Sequence, residues 1–403
     1  MKDPSRVCVD GPLEAFAPGF VAELGRLGYS PLGATLQLRL MAHVSRWLAA
    51  AGLGSDGLSS DVVERFLVER RAAGHRDWVT GRAMAPLLAY LRGLGVAPAP
   101  APRREADTAA ERLLERFAEY LAVERGLAAG TIWDYVHAVR PFVVELGGDG
   151  ELDLWELDAA QVTAFVVARC PRQSRGAAKL TVTALRSLLR FLHVDGAIAR
   201  SLVGAVPSAA SWRLSGLPRG LEPDQVRALL DSCDQQTAAG RRDFAILTIL
   251  VRLGLRAGEV ADLRLDDIDW RAGELVVIGK GRRAERLPLP VDVGEAVTSY
   301  LRDGRPSGAL DRSLFVRVKA PHCRLKGGVT QVVVSAARRA DLGQIHAHRL
   351  RHTAATQMLR AGAPLAEIGQ VLRHRQLLTT AIYAKVDRDA LRQLARPWPG
   401  ARS

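Results

Sequence analysis

Two stretches of sequence that cannot continue a helix divide this chain into three segments. The first is the alternating alanine and proline run from Ala97 to Pro102, which favours an extended, semi-rigid spacer. The second extends from Val203 to Gly220, where proline, serine and glycine interrupt every periodic pattern. With 403 residues the chain is also too long for one ordinary core. The breaks predict domains at residues 1–96, 107–202 and 221–395, linkers at 97–106 and 203–220, and a tail at 396–403.

The first two segments look like versions of one another. Stretches beginning at Phe20, Leu58 and Leu87 have counterparts beginning at Phe117, Leu157 and Leu188. The offset between the copies drifts from 97 to 101 residues, which indicates small loop changes within a duplicated unit. Chance similarity between amphipathic helices is the alternative.

Apolar residues in these two segments recur with helical rather than strand spacing. In the second segment the recurring positions are Leu113, Leu114, Phe117, Tyr120 and Leu121. Ser59 and Asp158 stand where the N-caps of later helices are expected. We predict a bundle of four or five helices in each segment, an architecture that indicates no function by itself.

The third segment has a different pattern. Asp243 to Leu253 has the composition of a buried helix, whereas Glu274 to Ile278 is a short run typical of a strand. Arg286 to Pro290 could pair with that strand across Gly279 to Gly281. Helical patterns return after Val291, so we predict a helical domain that carries a small hairpin or sheet.

The composition favours a polyanionic partner. The formal net charge is +13 and the isoelectric point is near 10.2, which suits a phosphate backbone. Only six of the 56 basic residues are lysines, however, and the codon bias of a GC-rich genome would also produce such an excess of arginine. The four cysteines are far apart, and the apolar run from Phe244 to Val251 is too short to cross a membrane. We expect a soluble, unsecreted protein in a reducing cytoplasm.

Two motifs near the start of the third segment can address a phosphate. Arg256 follows Gly254 and the predicted buried helix, and Glu259 lies one helical turn further on, where it can hold the guanidinium. Lys280 stands between two glycines at the predicted hairpin tip, from which it can reach a DNA groove and protonate a leaving oxygen. Taken alone, the first motif is usually a surface ion pair and the second an ordinary turn lysine.

A third motif contains two histidines and two arginines. His348 and Arg351 are three residues apart on one predicted helical face and can address one phosphate together. Arg349 and His352 form a second pair, which we predict to be rotated away from the first. Such a concentration of polar groups is uncommon in a plain core because burying them costs solvation.

The last two motifs contain His374 and Tyr383, which are nine residues apart. This separation is enough for a helix, a turn and a second helix start that brings the tyrosine back to the histidine. A tyrosine considered alone is most often a packed core residue. Only the complete set of motifs supports its assignment as a nucleophile.

In this order and spacing the five motifs resemble the tyrosine recombinase family, whose pattern is Arg, Lys, His-x-x-Arg, His or Trp, and then Tyr. The resemblance covers roughly residues 221–386, and every position holds the expected type of residue. It implies that the catalytic residues are Arg256, Lys280, His348, Arg351, His374 and the nucleophile Tyr383.

The resemblance also implies a fold and partners. The expected fold is mainly α with a small β-sheet or hairpin, in which two helical, SAM-like domains precede an α+β catalytic domain. The second helical domain would be a core-binding domain that closes a clamp around DNA, and the first would be the extra domain of longer phage- or transposon-encoded members. The expected partners are double-stranded DNA at specific sites and three further copies of the chain, with or without other recombinase or accessory proteins. A cytoplasmic, nucleoid-associated location in a prokaryote follows.

The chemistry of these residues fits strand cleavage and rejoining. A tyrosine hydroxyl has a pKa near 10 and needs a cationic pocket, which Arg256 and Arg351 would supply. Histidines 348 and 374 suit proton transfer, Lys280 is the candidate acid, and Glu259 is a supporting residue. We expect DNA contacts from Arg282, Arg283 and Arg349. Because the phosphotyrosyl ester conserves bond energy and the chain has neither a P-loop nor an acidic metal cluster, we expect no cofactor and no metal.

The predicted function is therefore site-specific recombination for the integration, excision or transposition of a mobile element. A type IB topoisomerase uses similar chemistry without pairing sites and remains an alternative. A catalytically silent DNA-binding accessory protein would have lost active-site residues, whereas the set is complete here. A purely structural helical-repeat protein is favoured only by the first two segments.

Overall fold

The computed structural model describes residues 4–99, 108–147, 152, 154–208, 220–279, 283–373 and 380. Each of the three sequence segments contains a hydrophobic core of its own. By its internal contacts the chain divides into two compact units, one made of residues 1–99 with 214–403 and the other of residues 100–213. The first and third segments thus share a unit although the second lies between them in sequence.

The first segment is a bundle of four α-helices, which we call the first bundle. The helices are α1 (Ala17–Arg26), α2 (Pro31–Ala50), α3 (Ser60–Ala72) and α4 (Gly81–Gly93). Ser59 caps α3, since its side chain accepts a hydrogen bond from the backbone N–H of Val62. Phe20 is fully buried and its ring centroid lies 5.3 Å from that of Tyr90, so α1 packs on α4.

The second segment is a bundle of the same design, the second bundle. It consists of α5 (Ala109–Val123), α6 (Ala129–Gly147), α7 (Ala159–Arg169) and α8 (Arg175–Val194). Asp158 caps α7 through a reciprocal capping box with Gln161, as the sequence predicted. Phe117 and Phe191 form a ring pair at 5.7 Å.

One ring pair recurs in both bundles. Phe20 with Tyr90 corresponds to Phe117 with Phe191 at the predicted offsets. Each bundle also has an edge-on pair, Trp47 with Phe66 at 5.5 Å and Phe142 with Phe165 at 5.0 Å, but Trp47 and Phe142 lie outside the predicted range of offsets. The first pair favours a duplicated unit, which stays a prediction.

The third segment combines seven helices with a three-stranded antiparallel sheet in its described part. The helices are α9 (Pro223–Asp231), α10 (Ala238–Leu253), α11 (Ala257–Asp262), α12 (Val291–Asp303), α13 (Gly328–Arg339), α14 (Ala347–Arg360) and α15 (Leu365–Val371). The strands are β1 (Ile268–Asp269), β2 (Glu274–Ile278) and β3 (Ala284–Pro288), in the order β1-β2-β3. Helix α10 is buried along most of its length and packs against α12 and α14.

The sheet differs from the sequence prediction in one boundary. Strand β2 has the predicted bounds, but its partner is Ala284–Pro288 rather than Arg286–Pro290. Pro290 instead precedes α12 as its N-cap, because its fixed φ and missing N–H suit a helix start better than a ladder. The short strand β1, which no sequence pattern indicated, pairs with the other side of β2.

The first bundle docks on the third segment at the turn between α1 and α2. Gly28 has φ +80° there, and a Cβ atom at this position would lie 2.3 Å from Cδ2 of His322. The neighbouring Tyr29 has a raised pKa because it is partly buried, and Arg317 and Cys323 are close enough to act on it electrostatically. The loop from Arg317 to Cys323 therefore forms the third segment's side of this contact.

Among the described helices, none has the length and apolar character needed to cross a membrane.

Candidate active site

A tight turn at Gly254 is the centre of the candidate site. Helix α10 ends there with φ +59°, a left-handed conformation that favours glycine. A Cβ atom on Gly254 would lie 2.6 Å from Cδ2 of Leu372 and 3.2 Å from Cβ of Ala354. The turn therefore brings three distant parts of the segment into direct contact, which only a residue without a side chain permits.

Arg256 follows this turn as the N-cap residue of α11. Glu259 accepts hydrogen bonds from the backbone N–H of Arg256 at 2.8 Å and from its Nη1 at 2.6 Å. The Glu259 side chain is only 7% exposed, whereas that of Arg256 is 46% exposed. The carboxylate thus fixes one edge of the guanidinium while the remainder stays accessible to a phosphate, as the sequence predicted for this pair.

Arg373 is a second cation on the same carboxylate. Its Nη2 donates to Oε2 of Glu259 at 2.6 Å, and both side chains are almost fully buried. Arg373 has φ +55°, which is unusual for a residue with a side chain, and its buried Nε has no hydrogen-bond partner among the described residues. Burial alone would raise the pKa of Glu259, but the hydrogen bonds from Arg256 and the charges of Arg373 and Arg256 outweigh it and lower that pKa.

Arg351 reaches the Gly254 turn from α14. The residue is 3% exposed, and its Nη1 donates to the carbonyl oxygen of Gly254 at 2.6 Å. Its Nη2 donates to the carbonyl oxygen of Leu372. One guanidinium thus joins the end of α10 to the residue that follows α15.

His348 and His352 form an edge-on pair one turn apart on α14. Their ring centroids are 4.3 Å apart. The prediction that His352 is rotated away from His348 is wrong, because an i, i+4 step returns a side chain to nearly the same helical face. Desolvation and the charges of Arg351 and Arg256 lower the pKa of His348, and desolvation, His348 and Arg351 lower the pKa of His352 to about 4. Both rings are therefore neutral at neutral pH.

The structure does not describe four of the other predicted site residues. Lys280, Arg282, His374 and Tyr383 lie outside the described residues. Thr380, three residues before the predicted nucleophile, is 1% exposed, and its Oγ1 would lie 3.0 Å from a Cβ atom on Gly369 of α15.

Arg283 and Arg349, two of the predicted DNA contacts, lie within the described residues. Arg283 is exposed just before β3, where its carbonyl oxygen accepts a hydrogen bond from the backbone N–H of Gly279 at 2.8 Å. Arg349 is half-buried on α14. Within the described ranges, no three histidine, cysteine or acidic side chains are grouped as metal ligands.

Sequence reasoning missed one residue of this site and misplaced another. Arg373 stands next to His374 in the sequence, but only the fold brings it to Glu259, 114 residues earlier. The pairing of His352 with His348 could have been found from their four-residue spacing. Both additions enlarge the site beyond the family pattern.

Two protein-family models match this chain. The model described as "Phage integrase family" matches residues 219–389, and the model described as "Phage integrase, N-terminal SAM-like domain" matches residues 114–196. This α+β fold and its cluster of guanidinium and imidazole groups define the class of tyrosine recombinases, enzymes that cleave and rejoin DNA strands. A Sinorhizobium fredii protein named as an integrase/recombinase, y4rA, is 40% identical over 97% of this chain and 96% of its own length. The tyrosine recombinase XerD of Listeria monocytogenes is 31% identical over 70% of this chain and 96% of its own length. The chain belongs to the phage integrase family of site-specific tyrosine recombinases.

Solved structures share the fold. A post-cleavage complex of the XerH site-specific recombinase has a TM-score of 0.59 at 18% identity, covering 74% of this chain and 98% of its own. A lambda integrase dimer bound to a core site has a TM-score of 0.53 at 18% identity, covering 68% and 94%. The expected fold class, mainly helical with a small sheet and a SAM-like helical domain before the catalytic domain, is thereby confirmed.

Proposed function

We propose that this chain recombines the ends of a mobile DNA element through a 3′-phosphotyrosyl bond to Tyr383, acting as a tetramer on two duplexes inside the cell. The observation that carries the proposal is the half-exposed guanidinium of Arg256, which Glu259 fixes and whose charge acts, together with that of Arg351, on His348. A lambda integrase tetramer bound to a Holliday junction, which has the same fold, supports the assembly.

In this proposal the half-exposed Arg256 binds a non-bridging oxygen of the scissile phosphate, and the buried Arg351 adds positive charge next to it. The hydroxyl oxygen of Tyr383 attacks phosphorus, and the bond from phosphorus to the 5′ oxygen breaks. Negative charge accumulates on the phosphoryl oxygens in the transition state, where guanidinium groups already in place stabilise it without reorganisation. Attack by a 5′-hydroxyl on the phosphotyrosyl ester reverses the step.

Two protons move in this step. His348 is neutral at neutral pH, so its imidazole can accept the proton that the Tyr383 hydroxyl loses. Lys280 gives a proton to the departing 5′ oxygen, and His374 donates a hydrogen bond to the phosphate. The assignments of Lys280, His374 and Tyr383 rest on the family pattern and on their order in the sequence.

Glu259 and Arg373 are positioning residues in this scheme. The carboxylate holds Arg256 on one side and Arg373 on the other, and Arg373 directly precedes His374. The ion pair therefore links the arginine that meets the phosphate to the segment that carries the last histidine and the tyrosine.

The domain roles follow the sequence boundaries. Residues 107–202 would bind DNA as the core-binding domain and residues 221–395 would carry out catalysis, with Arg282, Arg283 and Arg349 at the DNA surface. One side of α8 and of the turn before it supports this, because it bears exposed cations at helical spacing and no acidic residue. These cations are Arg172, Arg175, Lys179 and Arg190.

The test is a nicked suicide substrate made from the ends of the chain's own element. Wild-type protein is expected to form a covalent protein–DNA adduct, and Tyr383→Phe none. Tyr135→Phe on α6 is the matched control, because this tyrosine lies in the second bundle and has no proposed role in catalysis. Mapping the DNA-linked peptide to the segment around Tyr383 would complete the assignment, and an adduct with the Phe variant would refute it.

The same preparation separates the competing functions. Site-independent relaxation of supercoiled DNA by a monomer would identify a topoisomerase. Specific binding without any adduct would identify an accessory protein. Recombination that requires two sites and four copies supports the proposal.

A further inference from the structure

The first bundle carries a cluster of cationic and aromatic side chains that the proposed catalytic scheme does not use. We call it the Trp78 cluster, and it consists of His43, Arg46, Arg70, His75 and Trp78. The ring centroids of His43 and Trp78 are 5.8 Å apart. The guanidinium carbon of Arg70 lies 5.4 Å from the centroid of the Trp78 ring, and Nη2 of Arg46 lies 3.3 Å from Nδ1 of His43.

The cluster has positive charge without a matching carboxylate. Arg46 donates to the carbonyl oxygen of Ala42, and Arg70 to that of Asp77, but neither forms an ion pair within the described chain. Burial lowers the pKa of His43, and the positive groups Arg70, Arg46 and His75 lower it further. An anion at this position would therefore meet the positive charges of Arg46 and Arg70, which form no ion pair with a carboxylate among the described residues.

Two other arginines of the same bundle are paired. Arg26 binds Glu23, and Arg71 binds Glu64. These two arginines supply matched controls that carry the same formal charge in the same bundle.

The backbone places the Trp78 ring in this position at a cost. Trp78 has φ +57°, a left-handed conformation that is unfavourable for a bulky residue. Such strain persists only where the surroundings hold it, and it is concentrated at functional sites. The half-buried indole presents a face to cations and to flat ring systems.

The Trp78 cluster is placed where it can make a contact separate from those of the third segment. The first bundle docks on the third segment at Gly28, next to the start of α2 at Pro31. His43 and Arg46 lie twelve and fifteen residues further along α2, which corresponds to about 18–22 Å of helix axis. The Trp78 cluster therefore stands well away from the docked end of the bundle.

The cluster is not a copy of the basic surface of the second bundle. At the repeat offset of 101 residues, Arg186 and Arg190 on α8 correspond to Ala85 and Ala89 on α4. The positive charge of the first bundle has instead collected where α2 and the loop between α3 and α4 meet. The two bundles share an architecture but present different surfaces.

We infer that the Trp78 cluster is a second DNA contact. It binds the phosphate backbone of the duplex that flanks the DNA bound by the second bundle and the third segment. Guanidinium groups neutralise phosphates, and the indole and imidazole rings add a face against which sugars and bases pack. The choice of DNA over another polyanion rests on the proposed function. The contact would lengthen the footprint of each protomer without changing the chemistry at the scissile phosphate.

The test uses the full-length chain and the salt dependence of its affinity for a duplex of about six helical turns. Each phosphate neutralised contributes about 0.9 to the slope of log affinity against log salt concentration. The double variant Arg46→Ala/Arg70→Ala is expected to reduce that slope by about two. The control Arg26→Ala/Arg71→Ala removes the same formal charge from paired positions and is expected to leave it unchanged.

Three further readouts keep the result interpretable. The exposed Arg46→Ala alone should reduce the slope by about one, which excludes misfolding of the loop as the cause. Adduct formation on a short suicide substrate should be unaffected by all these variants, so a failure of the catalytic proposal appears separately, in the wild type. Equal slopes for the wild type and both double variants would overturn the inference. So would a loss of self-association without a change in DNA affinity, because the cluster would then bind protein.

Discussion

At the scale of single residues, Glu259 is the group on which the site depends. One carboxylate receives hydrogen bonds from the backbone and side chain of Arg256 and from the side chain of Arg373. A buried carboxylate between two guanidiniums is stable only while both cations are present, because removing a partner leaves an uncompensated buried charge. The ion pair with Glu259 therefore holds Arg373 in its strained backbone conformation.

The first prediction concerns Arg373. Arg373→Gly relieves the left-handed backbone but leaves Glu259 with one cation, so we expect net destabilisation by about 1–4 kcal/mol. We also expect the rate of adduct formation to fall by about tenfold or more, since small displacements of catalytic groups are costly. The measurements are thermal unfolding and single-turnover cleavage at saturating enzyme.

The conservative variant Arg373→Lys distinguishes positioning from mere stability. Lysine keeps the charge next to Glu259, so it should restore most of the cleavage rate even where the unfolding temperature stays low. Equal cleavage rates for the glycine variant and the wild type would show that Arg373 has no part in positioning the site.

The second prediction concerns pH. His352 has a pKa of about 4 in the folded protein against an ordinary value of 6.5, so the unfolded chain binds its proton more readily. The contribution of His352 to stability is therefore complete above about pH 6.5 and is lost as the pH falls towards 4. His352→Gln, which does not titrate, should flatten the decline of the unfolding temperature over this range. His193→Gln, at an exposed position on α8, is the control and should reproduce the wild-type profile.

The residues of the site were predictable in so far as they act through local spacing. Arg256 with Glu259 and His348 with Arg351 lie within one helical turn of each other, and the structure brings both pairs to the Gly254 turn. Arg373 was not predictable, because its partner is distant in sequence and the interaction exists only in the fold. Lys280, His374 and Tyr383 stay predictions.

At the scale of elements, the Gly254 turn joins α10, α14 and the end of α15. Its left-handed backbone ends one helix, and its lack of a Cβ atom lets Leu372 and Ala354 approach. Its carbonyl oxygen accepts the hydrogen bond that orients Arg351. Gly254 therefore ends a helix, permits close packing and orients Arg351.

The third prediction follows from this turn. Gly254→Ala adds a strained φ, costing about 1–2 kcal/mol, and a steric conflict with Leu372, so destabilisation should exceed about 2 kcal/mol. Cleavage should fall as well, because Arg351 shifts with the turn. Gly258→Ala on α11 is the control for stability, since nothing lies within 4 Å of its Cβ position and its φ is not positive. If chemical denaturation shows that Gly258→Ala is less stable than Gly254→Ala, this account of the turn is wrong.

Helices were easier to predict than the sheet. The caps at Ser59 and Asp158 and the two four-helix bundles follow from local signals that the fold does not override. The partner of β2 was displaced by two residues, because alternation in a five-residue strand does not fix its register. The strand β1 has only two residues and depends entirely on its neighbour.

At the scale of the whole molecule, the first bundle and the third segment form one unit through contacts that include Gly28 and His322. His322 is held by its own loop, with Nδ1 3.0 Å from the carbonyl oxygen of Arg317. The sequence predicted a break after the first bundle but could not predict that this bundle would pack against residues some 290 positions later in the chain.

The fourth prediction tests this docking. Gly28→Ala should displace the His322 ring and loosen the contact, which would appear as faster hydrogen exchange of the amides from Arg317 to Cys323. Gly52→Ala is the matched control, because Gly52 also has a positive φ, +67°, but nothing lies within 4 Å of its Cβ position. If both variants speed exchange in that loop equally, backbone strain rather than docking is the cause.

The shared unit also changes what an N-terminal truncation of this protein would mean. The second bundle is an insertion in sequence, and both of its ends connect to parts of one body. Deleting residues 1–99 would therefore not trim an appendage. It would uncover the face of the third segment around His322 and leave the second bundle connected to the rest of the chain at one end only.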